Sequence, residues 1–215
     1  MQDHLSSKLV EAPPLDFFEA VKVAKNHGIP TIIDGAAQDF RIEELLQTGA
    51  DLVLISAQKY LMAPTAGLVI GNKRLVEGVR AQEKGIGRGM KASKEAIVGL
   101  LACIEEREDL DLDAWREIQT AKVTDFVQRS GDIPGLSAYS EADPTGLPFS
   151  RAYLSVDAAV TALDASILAV ALRSGSPSIW VIDSEISDGK LGFELVHATT
   201  SEIEAILKRL SDLIS

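Results

Sequence analysis

Cysteine is almost missing from this sequence: Cys103 stands alone in 215 residues. A lone thiol permits no internal disulfide and no cysteine-based zinc site. Long apolar runs are missing too, and none approaches the roughly 18 residues needed to span a bilayer. The opening residues, Met1-Gln2-Asp3-His4, lack the basic and apolar regions of a secretory leader. The expected setting is therefore the cytosol, with no membrane partner. Histidine occurs only as His4, His27 and His197, and no two of these stand at metal-ligand spacing. His27 falls instead at a helix end, where a cation is favoured. Positive charge is outweighed, with 21 Lys and Arg against 32 Asp and Glu and a net charge of −11. Such a chain repels nucleic acid as a whole, because that binding rests on neutralising phosphates. Three common motifs are also lacking. Gly85-x-Gly87-x-Gly89 runs into Met90 rather than completing a dinucleotide fingerprint, and neither a Walker A loop nor a Gly-x-Ser-x-Gly elbow is present.

What remains is ordinary for a folded protein: 46% hydrophobic and 25% charged residues. The length suits one large domain or two small ones, with a real core. Leu15 to His27 reads as a helix with Phe17, Phe18, Val21 and Ala24 on its apolar face. Thr31-Ile32-Ile33-Asp34 and Asp51-Leu52-Val53-Leu54-Ile55-Ser56 read as buried parallel strands around a short helix from Ile42 to Thr48. Gly67 to Gly71 is a third strand, and Lys73 to Ala81 a helix. Gly85 to Gly89 is expected as loop, since so many glycines burden a regular element. A helix follows from Ser93 to Glu108, then a break in the acidic stretch, then a helix from an Asp113 cap to about Arg129.

The remaining sequence suits a small unit with helices on one face of a sheet. Leu136 to Glu141 and Arg151 to Val156 are strands, and Leu163 to Ser174 is a helix ending at Gly175. Ser178 to Asp183 and Lys190 to Val196 form a hairpin across Ser187-Asp188-Gly189. Ser201 and Glu204 make a capping box for the last helix. Trp115, Trp180 and Cys103 read as packing residues.

In open α/β sheets, ligands bind beyond the carboxyl ends of the strands. Asp34 and Ser56 sit at such ends, and Lys59 follows on the same edge. An aspartate and a lysine so placed suit a pyridoxal phosphate site. The lysine forms a Schiff base with the aldehyde, and the aspartate keeps the pyridine nitrogen protonated. A plainer reading has Asp34 capping the next turn and Lys59 on the surface. Spacing alone favours the plainer reading, since such pairs are common in α/β proteins.

The order of residues adds a resemblance. Pro30 to Gln38, Gly49 to Lys59, Gly67 to Gly71 and Ile86 to Ala102 together resemble the fold-type-I pyridoxal phosphate enzymes. Within them the chain is most similar to the selenocysteine synthase-like family, which includes D-glucosaminate-6-phosphate ammonia-lyase-type proteins. The resemblance implies an α/β fold. Residues 1–112 would be part of the three-layer cofactor-binding large domain. Residues 113–215 would be a helical connector and a small α+β domain. It also implies roles. Asp34 would pair with the pyridine nitrogen, Ala36 would pack on the ring, and Ser56 would sit near the phosphate. Lys59 would carry the cofactor. Arg88, Lys91 and Lys94 would face an anionic group of the substrate, although a solvated loop and first helical turn explain them equally well.

Three departures stand out. Ser56-Ala57-Gln58-Lys59 has Cβ atoms where the family often has glycines, so this loop is less free to reach positive φ. Ala63-Pro64 replaces a Gly-Pro, and Pro177 to Ile182 lacks the arginine that relatives use to hold substrate. The resemblance implies a pyridoxal phosphate-dependent lyase or transferase for a small anionic amino acid or amino-sugar acid, eliminating or replacing a β-substituent. Class V-like aminotransfer and aldol cleavage use the same cofactor and stay open. So does a non-catalytic remnant or interaction module, since the family's usual N-terminal half is not in this sequence. A homodimer is expected, because sites of this fold lie at a dimer interface.

Overall fold

The computed structural model describes residues 16–214. The chain divides after Leu110 into two compact units.

In the first unit, helix α1 (Phe17–Asn26) starts on Asp16, whose carboxylate accepts the Glu19 N–H at 2.9 Å. Leu15, the expected first residue of this helix, lies outside the described residues. Strand β1 (Ile32–Asp34), helix α2 (Ile42–Gln47), strand β2 (Leu52–Ser56) and strand β3 (Gly67–Gly71) follow. The sheet order is β1-β2-β3, parallel between β1 and β2 and antiparallel between β2 and β3. Val21 of α1 and Leu45 of α2 pack with Ile33, Val53 and Ile55. That cluster is smaller than the sequence suggests, because Phe17 and Phe18 are 42% and 49% exposed. A three-residue strand extends only about 10 Å, so one turn of α1 around Val21 covers it. β1 is likewise buried on one face only, with Ile33 inside and Ile32 exposed. Among the described residues it is an edge strand of the sheet, as is β3.

Helix α3 (Lys73–Ala81) agrees with the sequence reading and is capped by Asn72. Gly85 to Gly89 is not the expected loop. Residues Ile86–Met90 wind into a short 3-10 turn, a length at which the glycine penalty stays small. Helix α4 (Lys94–Glu108) starts on Ser93, whose hydroxyl accepts the Ala96 N–H at 3.1 Å.

The second unit opens with helix α5 (Leu112–Gly131). Asp111, not Asp113, is its cap, and it accepts the amides of Asp113 and Ala114. Strands β4 (Leu136–Ala142), β5 (Ser150–Val156) and β6 (Lys190–Phe193) form an antiparallel sheet. A single turn α6 (Ala158–Thr161) and helix α7 (Ala165–Arg173) link β5 to β6. Ala152, Leu154, Leu191 and Phe193 meet Phe126 of α5 and Leu168 and Leu172 of α7 in one core. Tyr153, between two of these, points to the opposite face and stacks on Tyr139.

Three further expectations fail in this unit. Residues 178–183 do not form a strand, and only an Ile182–Gly192 bridge joins them to β6. The Ile179 amide donates instead to the Leu172 carbonyl at the end of α7, 3.0 Å away, and so is lost to any ladder. Trp180 is not a packing residue: it is 74% exposed, with the Arg173 guanidinium 5.1 Å from its ring centroid. The last helix, α8 (Thr200–Ile214), is capped two residues earlier than expected. Thr199 accepts the Glu202 N–H, and Glu202 reaches back to the Thr199 N–H at 2.8 Å. This frees Glu204 to form a two-pronged pair with Arg129 of α5, with Nη2 to Oε2 at 2.6 Å.

Arg129 holds the Glu204 carboxyl below its ordinary value of 4.5. A carboxyl lowered in the folded state contributes stability above the unfolded value and loses it as pH falls through the folded one. Glu204→Gln is therefore expected to lower the melting temperature at neutral pH. The gap from wild type should close as pH falls from 4.5 through the lower folded-state value. Melting curves by circular dichroism across that range check it, and a gap that persists in acid contradicts it.

Candidate active site

The carboxyl ends of β1 and β2 are held level by backbone hydrogen bonds. Gly35 N–H donates to the Leu54 carbonyl at 2.9 Å, and Ser56 N–H donates to the Ala36 carbonyl at 3.0 Å. These bonds place Asp34, Ala36 and Ser56 along one sheet edge. The Asp34 carboxylate is exposed, and its Oδ1 accepts the Ala36 N–H at 3.1 Å. It thus caps the following turn, as the plainer reading has it, and at the same time presents a carboxylate at the strand end. Ser56 is half-buried.

Lys59 belongs to a tight loop rooted on the same edge. Its N–H donates to Ser56 O at 3.3 Å, its carbonyl accepts from Met62 N–H at 2.9 Å, and Ala63 N–H returns to Ala57 O at 2.9 Å. The Lys59 side chain is exposed. Ala57 and Gln58, where relatives often have glycines, do not adopt positive φ; in this loop Met62 does, at 56°.

Arg88, Lys91 and Lys94 are all exposed on the segment leading into α4. Their ties are local, with Lys91 Nζ 3.2 Å from Glu83 Oε2. An acid already sits at this helix start. The Glu95 carboxyl is held below its ordinary value by its own backbone N–H and then by the Ser93 hydroxyl.

Two residues that matter here escape the sequence reading. Asp39 and Arg107 form an ion pair at 2.8 Å, with the Asp39 side chain almost fully buried. Arg107 also donates to the Tyr60 carbonyl at 2.8 Å, beside Lys59, and its guanidinium lies 3.8 Å from the Phe40 ring centroid. The signal was helical spacing. Leu100, Cys103 and Ile104 of α4 pack against Ala57, Leu61 and Ala63, and Arg107 continues that stripe at i+7. Cys103 is thus a packing residue, partly buried.

Comparison with known proteins agrees with the resemblance seen in the sequence. A family model described as beta-eliminating lyase matches residues 12–167. A 5'-C-glycyluridine monooxygenase-decarboxylase of Streptomyces sp is 35% identical over 94% of this chain and 50% of that protein. A D-glucosaminate-6-phosphate ammonia lyase of Salmonella typhimurium is 28% identical over 97% of this chain and 55% of that protein. A solved structure of D-glucosaminate-6-phosphate ammonia-lyase, 28% identical, aligns over 95% of this chain and 54% of its own with a TM-score of 0.76. An archaeal O-phosphoseryl-tRNA(Sec) selenium transferase shares the fold at 17% identity, with a TM-score of 0.62 over 92% of this chain and 47% of its own. The chain thus spans about half the length of the curated relatives it matches.

The docking of α4 on the lysine loop sets a testable sign. A Cβ on Gly99 would lie 2.6 Å from Pro64 Cγ, in a rigid ring. Gly→Ala within a helix ordinarily gains about 1 kcal/mol. Here Gly99→Ala is expected to lower stability, by about 1–3 kcal/mol as for other overpacked sites. Denaturant titration of the two proteins decides the sign.

Proposed function

The chain belongs to the beta-eliminating lyase family, and from that premise we propose that Asp34, Ala36, Ser56 and Lys59 hold pyridoxal 5'-phosphate for a lyase or transferase reaction. The observation that carries this reading is the shared strand edge, which presents an exposed carboxylate, a half-buried hydroxyl and an exposed amine from neighbouring segments. That donor set fits the group. A carboxylate suits a pyridine N–H, an amine suits an aldehyde, and a hydroxyl suits a phosphate oxygen. Ala36 adds a small apolar side chain beside Asp34.

The bound group supplies an electron sink for the substrate Cα. Asp34 keeps a proton on the ring nitrogen through a charge-assisted hydrogen bond. Ser56 donates its hydroxyl proton to a phosphate oxygen. Lys59 Nζ would hold the aldehyde of the group and, as a free amine, would accept the Cα proton as general base. The substrate is an amino acid or amino-sugar acid, as the name of the ammonia lyase supports. Arg88, Lys91 and Lys94 offer cations for its anionic group. Elimination or replacement of a β-substituent is the leading reaction. The name of the Streptomyces relative favours decarboxylation as a second reading. Ammonia without carbon dioxide from an aminated sugar acid supports the first, and carbon dioxide supports the second. The same reading carries a cytosolic homodimer, and light scattering that gives a monomer mass at working concentration contradicts the dimer.

Borohydride reduction after mixing the protein with pyridoxal phosphate should leave the cofactor mass on the peptide containing Lys59, and none in Lys59→Ala. An equal adduct in that variant overturns the assignment. Asp34→Asn should hold the cofactor about ten- to a hundredfold more weakly, the range for losing a charged hydrogen bond. Equilibrium dialysis measures it.

A further inference from the structure

We propose that Arg107 is a positioning residue that sets the backbone around Lys59 and thereby the placement of its amine. Arg107 grips two segments at once. It pairs with buried Asp39, five residues after Asp34, and donates to the carbonyl of Tyr60, the residue after Lys59. The Phe40 ring lies against the guanidinium and limits its movement. The apolar side of the loop rests on Leu100, Cys103 and Ile104, one and two turns back along the same helix face. Arg107 supplies the polar end of that stripe.

The guanidinium is suited to this by its geometry. It is a planar fork whose donors leave in fixed directions, so one head answers the carboxylate and the carbonyl together. A lysine ammonium can meet the Asp39 charge but does not reproduce the fork. The proposal rests on the reading of Lys59 as the cofactor-bearing residue, and it reaches beyond that reading to what holds the lysine in place.

The test uses the full chain, Arg107→Lys and Asp39→Asn. The first readout needs no cofactor: hydrogen exchange at the amides of Met62 and Ala63, whose bonds close the lysine loop. In Arg107→Lys these should exchange about tenfold faster, as for a local opening, while the β2 amides stay as in the parent. The second readout is the rate constant, at saturating pyridoxal phosphate, for borohydride-trapped cofactor on Lys59. It should fall about tenfold or more, as small misplacements of a reacting group do, while half-saturation stays near the parent's.

Should Arg107→Lys fail to fold, Asp39→Asn carries the test, since it keeps the shape and removes the charge that orients the guanidinium. It should show smaller changes in the same direction. Unchanged loop exchange in the folded variants overturns the proposal. A rise spread evenly over the first unit also overturns it, because that marks general destabilisation. Faster loop exchange with an unchanged trapping rate overturns the link to Lys59. A parent that takes no cofactor on Lys59 refutes the functional reading, and the exchange result then decides alone whether Arg107 holds the loop.

Discussion

A carboxylate buried near the strand ends demands an answer, and Arg107 gives it to Asp39. Removing one partner of a buried ion pair costs about 3–5 kcal/mol, since the other is left charged and dry. That cost ties the last turn of α4 to the segment after β1. The same guanidinium also bonds the Tyr60 carbonyl, so three stretches far apart in sequence share one side chain. Other features serve this docking. Gly99 lets the helix approach Pro64, and Leu100 covers the loop beneath. Without the pair, the lysine loop would keep its backbone bonds and its apolar contacts with α4 but lose its polar tie.

The two units bury their apolar residues differently. In the second, α5, α7 and α8 enclose one face of the sheet, and Phe126, Leu154, Leu168, Leu172, Leu191 and Leu210 lose all contact with water. In the first, two small clusters that both touch Leu68 form the core, while Ile32, Ile86, Met90 and Val98 point outward. Burial stabilises by about 25 cal/mol per Å² of apolar surface removed from water. The second unit therefore draws more on its core, and the first leans on particular ties such as Arg107.

Much of this was legible in the sequence. β-branched runs ending in Asp34 and Ser56 marked the strands, and the carboxyl ends of those strands carry the proposed site. What was hidden depended on partners distant along the chain. No motif marked Asp39, and Arg107 fell in the acidic stretch at the end of a helix. Only the α4 spacing hinted that Arg107 faces inward. Glu204 made a plausible capping residue on spacing alone, yet Thr199 and Glu202 hold that place. Trp180 looked apolar enough to bury, but the hydrogen bond from Ile179 to Leu172 turns the chain so that the indole stands in water.

That exposed indole has an optical consequence. Trp115 and Trp180 are the only tryptophans in the sequence, and both belong to the second unit. Emission excited at the red edge of protein absorption therefore originates in that unit, from one ring near Phe149 and one in solvent. The unit that carries Lys59 has no such fluorophore of its own. Its melting would pass unseen by that light, and a single smooth fluorescence transition would describe only half of the chain.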